Sequence, residues 1–278
     1  MQSTTWTRRV AASRLAPLAA LPMRLRRVAR HDAHVLAQSA SWLVTSREHH
    51  NYTYDLTSRN REHLAWFVCE VTGASVTAVR GWLDEVERDQ GLREHLERGL
   101  RSTTRAGLVD KTVRYGRRIG WYALVRALRP THVVESGVDK GLGSCVLAAA
   151  LLRNAADGSP GRLSALDINP DAGYLIGGPY ADVVDLVLGD SLQSIPALRP
   201  PVDVFLHDSN HSAEHERAEF AAIAPHLTPG AVLLSDNAAE SDVLVSVAEQ
   251  TGRRFLYFRE EPADHWFPGD GIGIAWKA

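Results

Sequence analysis

Val133-Val134-Glu135-Ser136-Gly137-Val138-Asp139-Lys140-Gly141-Leu142-Gly143-Ser144 is an apolar strand that runs into a glycine-paced turn and then into a helix, read from Cys145 to Leu152. A strand, a tight turn and a helix N-terminus together make a nucleotide cradle. Gly137 and Gly141 lack the Cβ atoms that would keep a ligand off the backbone. The first amides of the helix present unpaired N–H groups and the positive end of its dipole to an anionic group. The spacing is Glu-x-Gly-x-x-x-Gly-x-Gly. A dinucleotide fingerprint needs Gly-x-Gly-x-x-Gly directly after the strand, and a phosphate loop needs Gly-Lys-Ser/Thr, so neither fits. The plainer alternative is a tight connection with no ligand.

Two further strands end in acids at nucleoside spacing. Arg162 to Asp167 is a short apolar run closing on a carboxylate, where an acid can take both ribose hydroxyls; Asp167 is the candidate. Val183 to Leu188 reads as a buried strand, and Gly189-Asp190-Ser191 after it offers an acceptor and a hydroxyl for the adenine edge. Helix capping is the competing role for each acid. Beyond them, Val202 to His207 leads into Asp208-Ser209-Asn210-His211, and Ala231 to Ser235 leads into Asp236-Asn237. In an open parallel sheet such strand ends meet at the ligand crevice. Asp208, Asp236 and the Asn237 amide then converge as oxygen donors suited to a hard divalent cation, Mg²⁺ or else Mn²⁺ or Ca²⁺. His211, three residues past Asp208, is placed to take a proton from a hydroxyl near that cation. The alternative makes Asp208 and Asp236 helix caps and His211 a surface residue. His207, His215 and His226 read as ordinary strand and helix positions.

These segments resemble the class I S-adenosylmethionine-dependent methyltransferases over roughly the last 170 residues. The resemblance rests on the Glu135 to Gly143 turn, the Asp167 strand end, the Gly189-Asp190-Ser191 turn and the two later strands. It implies a Rossmann-like, doubly wound α/β fold with a seven-stranded sheet whose last strand is antiparallel. It also implies that Gly137 and Gly141 line the methionine part of S-adenosylmethionine with Glu135 nearby, that Asp167 holds the ribose, and that Asp190 and Ser191 hold the adenine. Ser144 and Asp208 complete the expected cofactor set. The strand-end donors are similar to the metal sets of catechol-type and antibiotic-tailoring O-methyltransferases. The catechol type places a lysine base where His211 stands, a departure that weakens the case for a catechol substrate.

Ala213 to His226 reads as an amphipathic helix with Phe220, Ile223 and Leu227 on one side, stopped by Pro229-Gly230; Ser241 to Gln250 reads as another. Arg254 to Arg259 and Gly271 to Trp276 alternate as strands, joined by a loop whose His265, Trp266 and Phe267 either cover a substrate or pack an edge. The first thirty residues hold seven Arg and no acid, while the rest of the chain holds 24 basic and 33 acidic residues, a net of −9 against −2 overall. Residues 1–30 are expected to be a flexible or oligomer-contacting basic arm, 31–107 a helical cap or dimerisation region, and 108–278 the cofactor-binding domain. Asn51 to Asp55 is the connector best suited to reach a ligand. Val109 to Leu128, with Arg117, Arg118 and Trp121, reads as a helix covering the cofactor.

Twin arginines at Arg8-Arg9 precede an apolar stretch broken by Pro17 and Pro22, and no run of 18 apolar residues occurs, so neither export nor membrane insertion is expected. Cys69 and Cys145 read as core residues, and the excess of Arg over Lys reads as compositional bias, with no nucleic-acid partner. The expected protein is a cytoplasmic, homo-oligomeric enzyme of antibiotic-type natural-product tailoring that methylates a hydroxyl of a small molecule with metal assistance. The competing classes are a cyclase or hydroxylase-like enzyme on the same fold and a non-catalytic dimerising protein.

Overall fold

The strand that opens the glycine turn, β1 (His132–Ser136), is buried at every position, as a central parallel strand must be. The computed structural model describes residues 16–48, 52–103, 107, 109–199, 201–236 and 238–277. On one side β1 pairs in parallel with β2 (Arg162–Asp167), which pairs with β3 (Val184–Leu188). On the other side it pairs with β4 (Val202–His207), followed by β5 (Leu227–Ser235). Two antiparallel pairings then add β7 (Gly271–Trp276) beside β5 and β6 (Arg254–Arg259) beside β7. The order β3-β2-β1-β4-β5-β7-β6 makes a seven-stranded sheet whose winding order switches at β1, so a crevice opens at the C-terminal ends of β1 and β4.

Each face of the sheet carries its own apolar layer, because alternate residues of a strand point to opposite sides. Val133 packs into the layer shared with α5 (Arg118–Leu128) and α6 (Leu142–Ala156). Val134 packs into the layer made with Phe220 and Ile223 of α7 (Ala213–Ile223) and Val243 and Leu244 of α8 (Val243–Thr251). Three helices precede them: α2 (Ser58–Thr72), α3 (Val76–Glu87) and α4 (Gln90–Ser102). Each begins where a Thr57, Ser75 or Asp89 side chain accepts a first-turn N–H. They add Leu64, Val68, Leu83, Leu92 and Leu96 to the α5–α6 layer.

The chain divides into two units, and the smaller comprises residues 1–46 with 264–266. Its described part holds α1 (Leu21–Thr45), which has no buried residue, and Trp42, whose ring lies 5.3 Å from that of Trp266 and 6.4 Å from that of His265. The helix starts inside the stretch read from sequence as a basic arm. Among the described residues no helix is long and apolar enough to cross a membrane.

The structure corrects three readings. β3 is an exposed edge rather than a buried strand, with Leu186 and Leu188 open to solvent, a distinction that an apolar run alone does not carry. Residues 109–117 are not helical: the Arg117 amide donates to Glu260 Oε1 instead of a helical carbonyl, so α5 starts only at Arg118. Pro229 and Gly230 lie within β5, near the start of the strand, instead of separating it from the preceding helix.

Candidate functional site

A cavity of 740 Å³ opens at the C-terminal ends of β1, β2, β4 and β5, and Gly137, Asp167, Asp190, Asp208 and Asp236 all contribute to its wall. Gly137 has φ +93°, and a Cβ there would lie 1.9 Å from the Asp208 carbonyl oxygen. The glycine is needed because the turns after β1 and β4 touch each other. Gly141 and Ser144, assigned from sequence to the cofactor, stand behind the wall. A Cβ on Gly141 would meet Ile176, and the buried Ser144 hydroxyl donates to Glu135 Oε2 at 2.5 Å. Burial pushes the Glu135 carboxyl up to about 7, against the pull of Ser144 and of the Arg118 charge.

Asp167 reaches the cavity with much of its acceptor capacity in use. Its Oδ2 accepts from the amides of Val138 and Asp139 at 2.8 and 2.9 Å, and its Oδ1 from the Asn169 amide at 2.8 Å. The acid thereby fixes the glycine turn, and its oxygens keep some acceptor capacity beyond these three bonds. Asp190 caps the short helix Ser191–Ser194 by accepting from Leu192 N, so capping and lining coexist. The Ser191 hydroxyl turns inward to Glu219 Oε1 at 2.5 Å.

Asp208, His211 and Asp236 bring one ligand atom each to within 4.8 Å of one another, a set able to hold a metal ion. Asn237, the remaining metal candidate, lies outside the described residues. Burial and the neighbouring Asp236 charge hold the Asp208 carboxyl well above the usual carboxylate range, offset in part by Arg117 and Arg118. Two carboxylates this close favour a cation between them. Arg117 already supplies one positive charge: its guanidinium forks onto both oxygens of Asp236 and reaches Glu260 Oε2 at 3.2 Å. His211 lies on the open side, with Nδ1 3.9 Å from Glu240 Oε2.

The connector and the aromatic loop singled out in the sequence each bring one ring to the cavity wall, whereas Glu219 had no assigned role there. Tyr52 and Phe267 close one side of the cavity, their rings 4.9 Å apart. Tyr54 instead turns inward and donates to Glu260. Glu219 of α7 is fully buried beneath the cavity floor. Its Oε1 accepts from Ser136, Ser191 and Ser209 at 2.5, 2.5 and 3.0 Å and lies 3.0 Å from His215 Nε2, while Oε2 lies 2.7 Å from His207 Nδ1. The visible signal was an acid on the same helical face as Phe220 and Ile223, four residues from a histidine.

Residues 134–238 match the family described as a methyltransferase domain. No curated protein matches the chain in sequence. Among solved structures, a methyltransferase from Geobacter sulfurreducens is similar over 69% of this chain and 92% of its own, with 18% identity and a TM-score of 0.50. The O-methyltransferase TomG from Streptomyces achromogenes, involved in tomaymycin synthesis and solved with SAM, is similar over 68% of this chain and 90% of its own, with 18% identity and a TM-score of 0.47. An O-methyltransferase from Bacillus cereus in complex with SAH is similar over 77% of this chain and 97% of its own, with 16% identity and a TM-score of 0.44. At such identities the likeness is one of fold.

Proposed function

We propose that this domain moves the methyl group of S-adenosylmethionine to a hydroxyl of a small molecule in natural-product tailoring, and that the whole chain works as a homo-oligomer. The observation that carries the reading is the meeting of Asp208, His211 and Asp236 in the same cavity as the Gly137 turn, Asp167 and Asp190. A base and a charge-stabilising group thus stand beside a nucleoside cradle.

S-Adenosylmethionine supplies an electrophilic methyl carbon when bound. The residues of this chain supply alignment, charge and a proton acceptor. Asp167 and Asp190 hold the nucleoside, while Glu135 and the Gly137 turn face the methionine part. His211 takes the proton of the acceptor hydroxyl through a ring nitrogen, and Tyr52 and Phe267 shield the reacting atoms from water. Asp208 and Asp236 would hold Mg²⁺ or a similar cation, whose charge makes a neighbouring hydroxyl more acidic. Alignment contributes most of the rate, with the base adding about 10²- to 10⁴-fold.

Mass spectrometry of a panel of hydroxylated compounds incubated with the protein, S-adenosylmethionine and Mg²⁺ tests this reading. A gain of one methyl mass is expected, lost in His211→Ala while cofactor binding persists. A product with another mass change would point to the cyclase or hydroxylase-like class. The fork of Arg117 on Asp236 favours a second version, in which the guanidinium supplies the positive charge and no metal takes part. Full activity in chelator selects that version, and activity restored only by a divalent cation selects the first.

A further inference from the structure

Besides its histidines, the cations of the cavity wall are Arg117, Arg118 and Lys140, set among a larger number of carboxylates. Two of them are engaged: Arg117 holds Asp236 and Glu260, and Lys140 Nζ lies 3.8 Å from Asp139. Arg118, the first residue of α5, pairs with no carboxylate among the described residues, and its buried Nε has no hydrogen-bond acceptor. Its guanidinium instead lies over Trp121, 5.4 Å from the ring centroid. A cation laid on an aromatic face keeps its in-plane N–H fork available.

Trp121 also fixes where in the cavity this fork stands. A Cβ added to Gly143 would lie 3.0 Å from the indole ring and 2.6 Å from Glu135 Oε1, so the ring, the glycine and the buried carboxyl pack together. Arg118 is therefore at the end of the cavity where α6 begins, and its charge acts on Glu135. An unfilled guanidinium fork near a buried carboxyl is matched by an amino acid, with the anion on the fork and the ammonium toward the carboxyl.

We propose that Arg118 binds the α-carboxylate of the methionine part of S-adenosylmethionine, with Glu135 facing its α-ammonium. The assignment rests on the cofactor reading above and adds the group that tells the intact cofactor from forms without a carboxylate. Such a contact can be lost without loss of the nucleoside contacts, since Asp167 ends β2 and Asp190 caps the short helix after β3, both apart from α5.

Calorimetric titration of the full chain with S-adenosylmethionine and with its decarboxylated analogue tests the proposal. The wild-type protein is expected to prefer the intact cofactor by about 10- to 100-fold, the range of a charge-assisted hydrogen-bonded contact. Arg118→Ala weakens the intact cofactor by that factor, leaves the decarboxylated form unchanged and so abolishes the preference. Arg118→Lys, which keeps the charge and loses the fork, falls between them and guards against a folding defect in the alanine variant. Equal weakening of both ligands in Arg118→Ala, no change in either, or a wild-type protein that binds both alike would overturn the assignment. A wild-type protein that binds neither ligand overturns the cofactor reading itself, and this proposal with it.

Discussion

Glu135 illustrates how burial tunes one side chain for its partner. With the carboxyl at about 7, close to half of the molecules hold its proton at neutral pH. A ligand ammonium favours the ionised form, so cofactor binding should expel that proton. Affinity then rises with pH through 7 and levels off above it, where the carboxylate is already ionised. Titrations at pH 7 in two buffers of different ionisation enthalpy should give apparent enthalpies that differ in proportion, reporting a fractional proton released. Glu135→Gln should remove the difference and flatten the pH dependence; an unchanged buffer effect would place the proton elsewhere. At this scale the strand-end acids were legible, because a carboxylate after an apolar run stands out. The partners of those acids were not. Nothing in the spacing of Arg117 shows that it reaches Asp236, 119 residues away, and the sequence left Arg118 as one more residue of a covering helix.

Helix α7 does for several turns what Asp167 does for one. The donors that meet on Glu219 come from the end of β1, the start of the short helix after β3, the turn after β4 and α7 itself. A single buried carboxylate thus ties together the floor of the cavity. Burial alone would raise its pKa, yet His207 and the Ser136 and Ser191 hydroxyls hold it down at about 2. Because the folded value lies below the unfolded one, the stabilisation is fully present above about pH 4.5 and is lost as pH falls toward 2. Glu219→Gln should cost about 3 kcal/mol at pH 7. In urea unfolding, the gap between wild type and variant should close on acidification; a gap that persists at pH 2 would mean that shape, not charge, carries the contribution. Element boundaries followed the same logic of legibility. β1, β2, β4 and the closing β6 and β7 could be read from alternation and apolar runs. The coil at 109–117 could not, since a tertiary bond from the Arg117 amide to Glu260 decides it.

For the whole molecule, the unexplained surface belongs to α1. Leu25, Leu36 and Leu43 are all exposed, and their separations of 11 and 7 residues place them along one line of the helix. A helix gains most of its stability in water by burying an apolar face, and no residue of α1 is buried. We propose that a second copy of the chain covers this line, since a closed two-fold pair buries the same face of both helices and leaves no open edge for further growth. Replacing both Leu36 and Leu43 by Glu puts charges where the two faces would meet. Sedimentation of the wild-type protein should then show a dimer or larger closed species, and the double variant should sediment as a smaller one. Every residue of the cavity wall belongs to the larger unit, whereas both substitutions fall in the smaller one. Cofactor affinity should therefore stay within about twofold of wild type, within the spread expected for surface changes. A wild-type chain that sediments as a monomer would leave the α1 face to a different partner, and a double variant that keeps the wild-type mass would move the self-association surface away from Leu36 and Leu43.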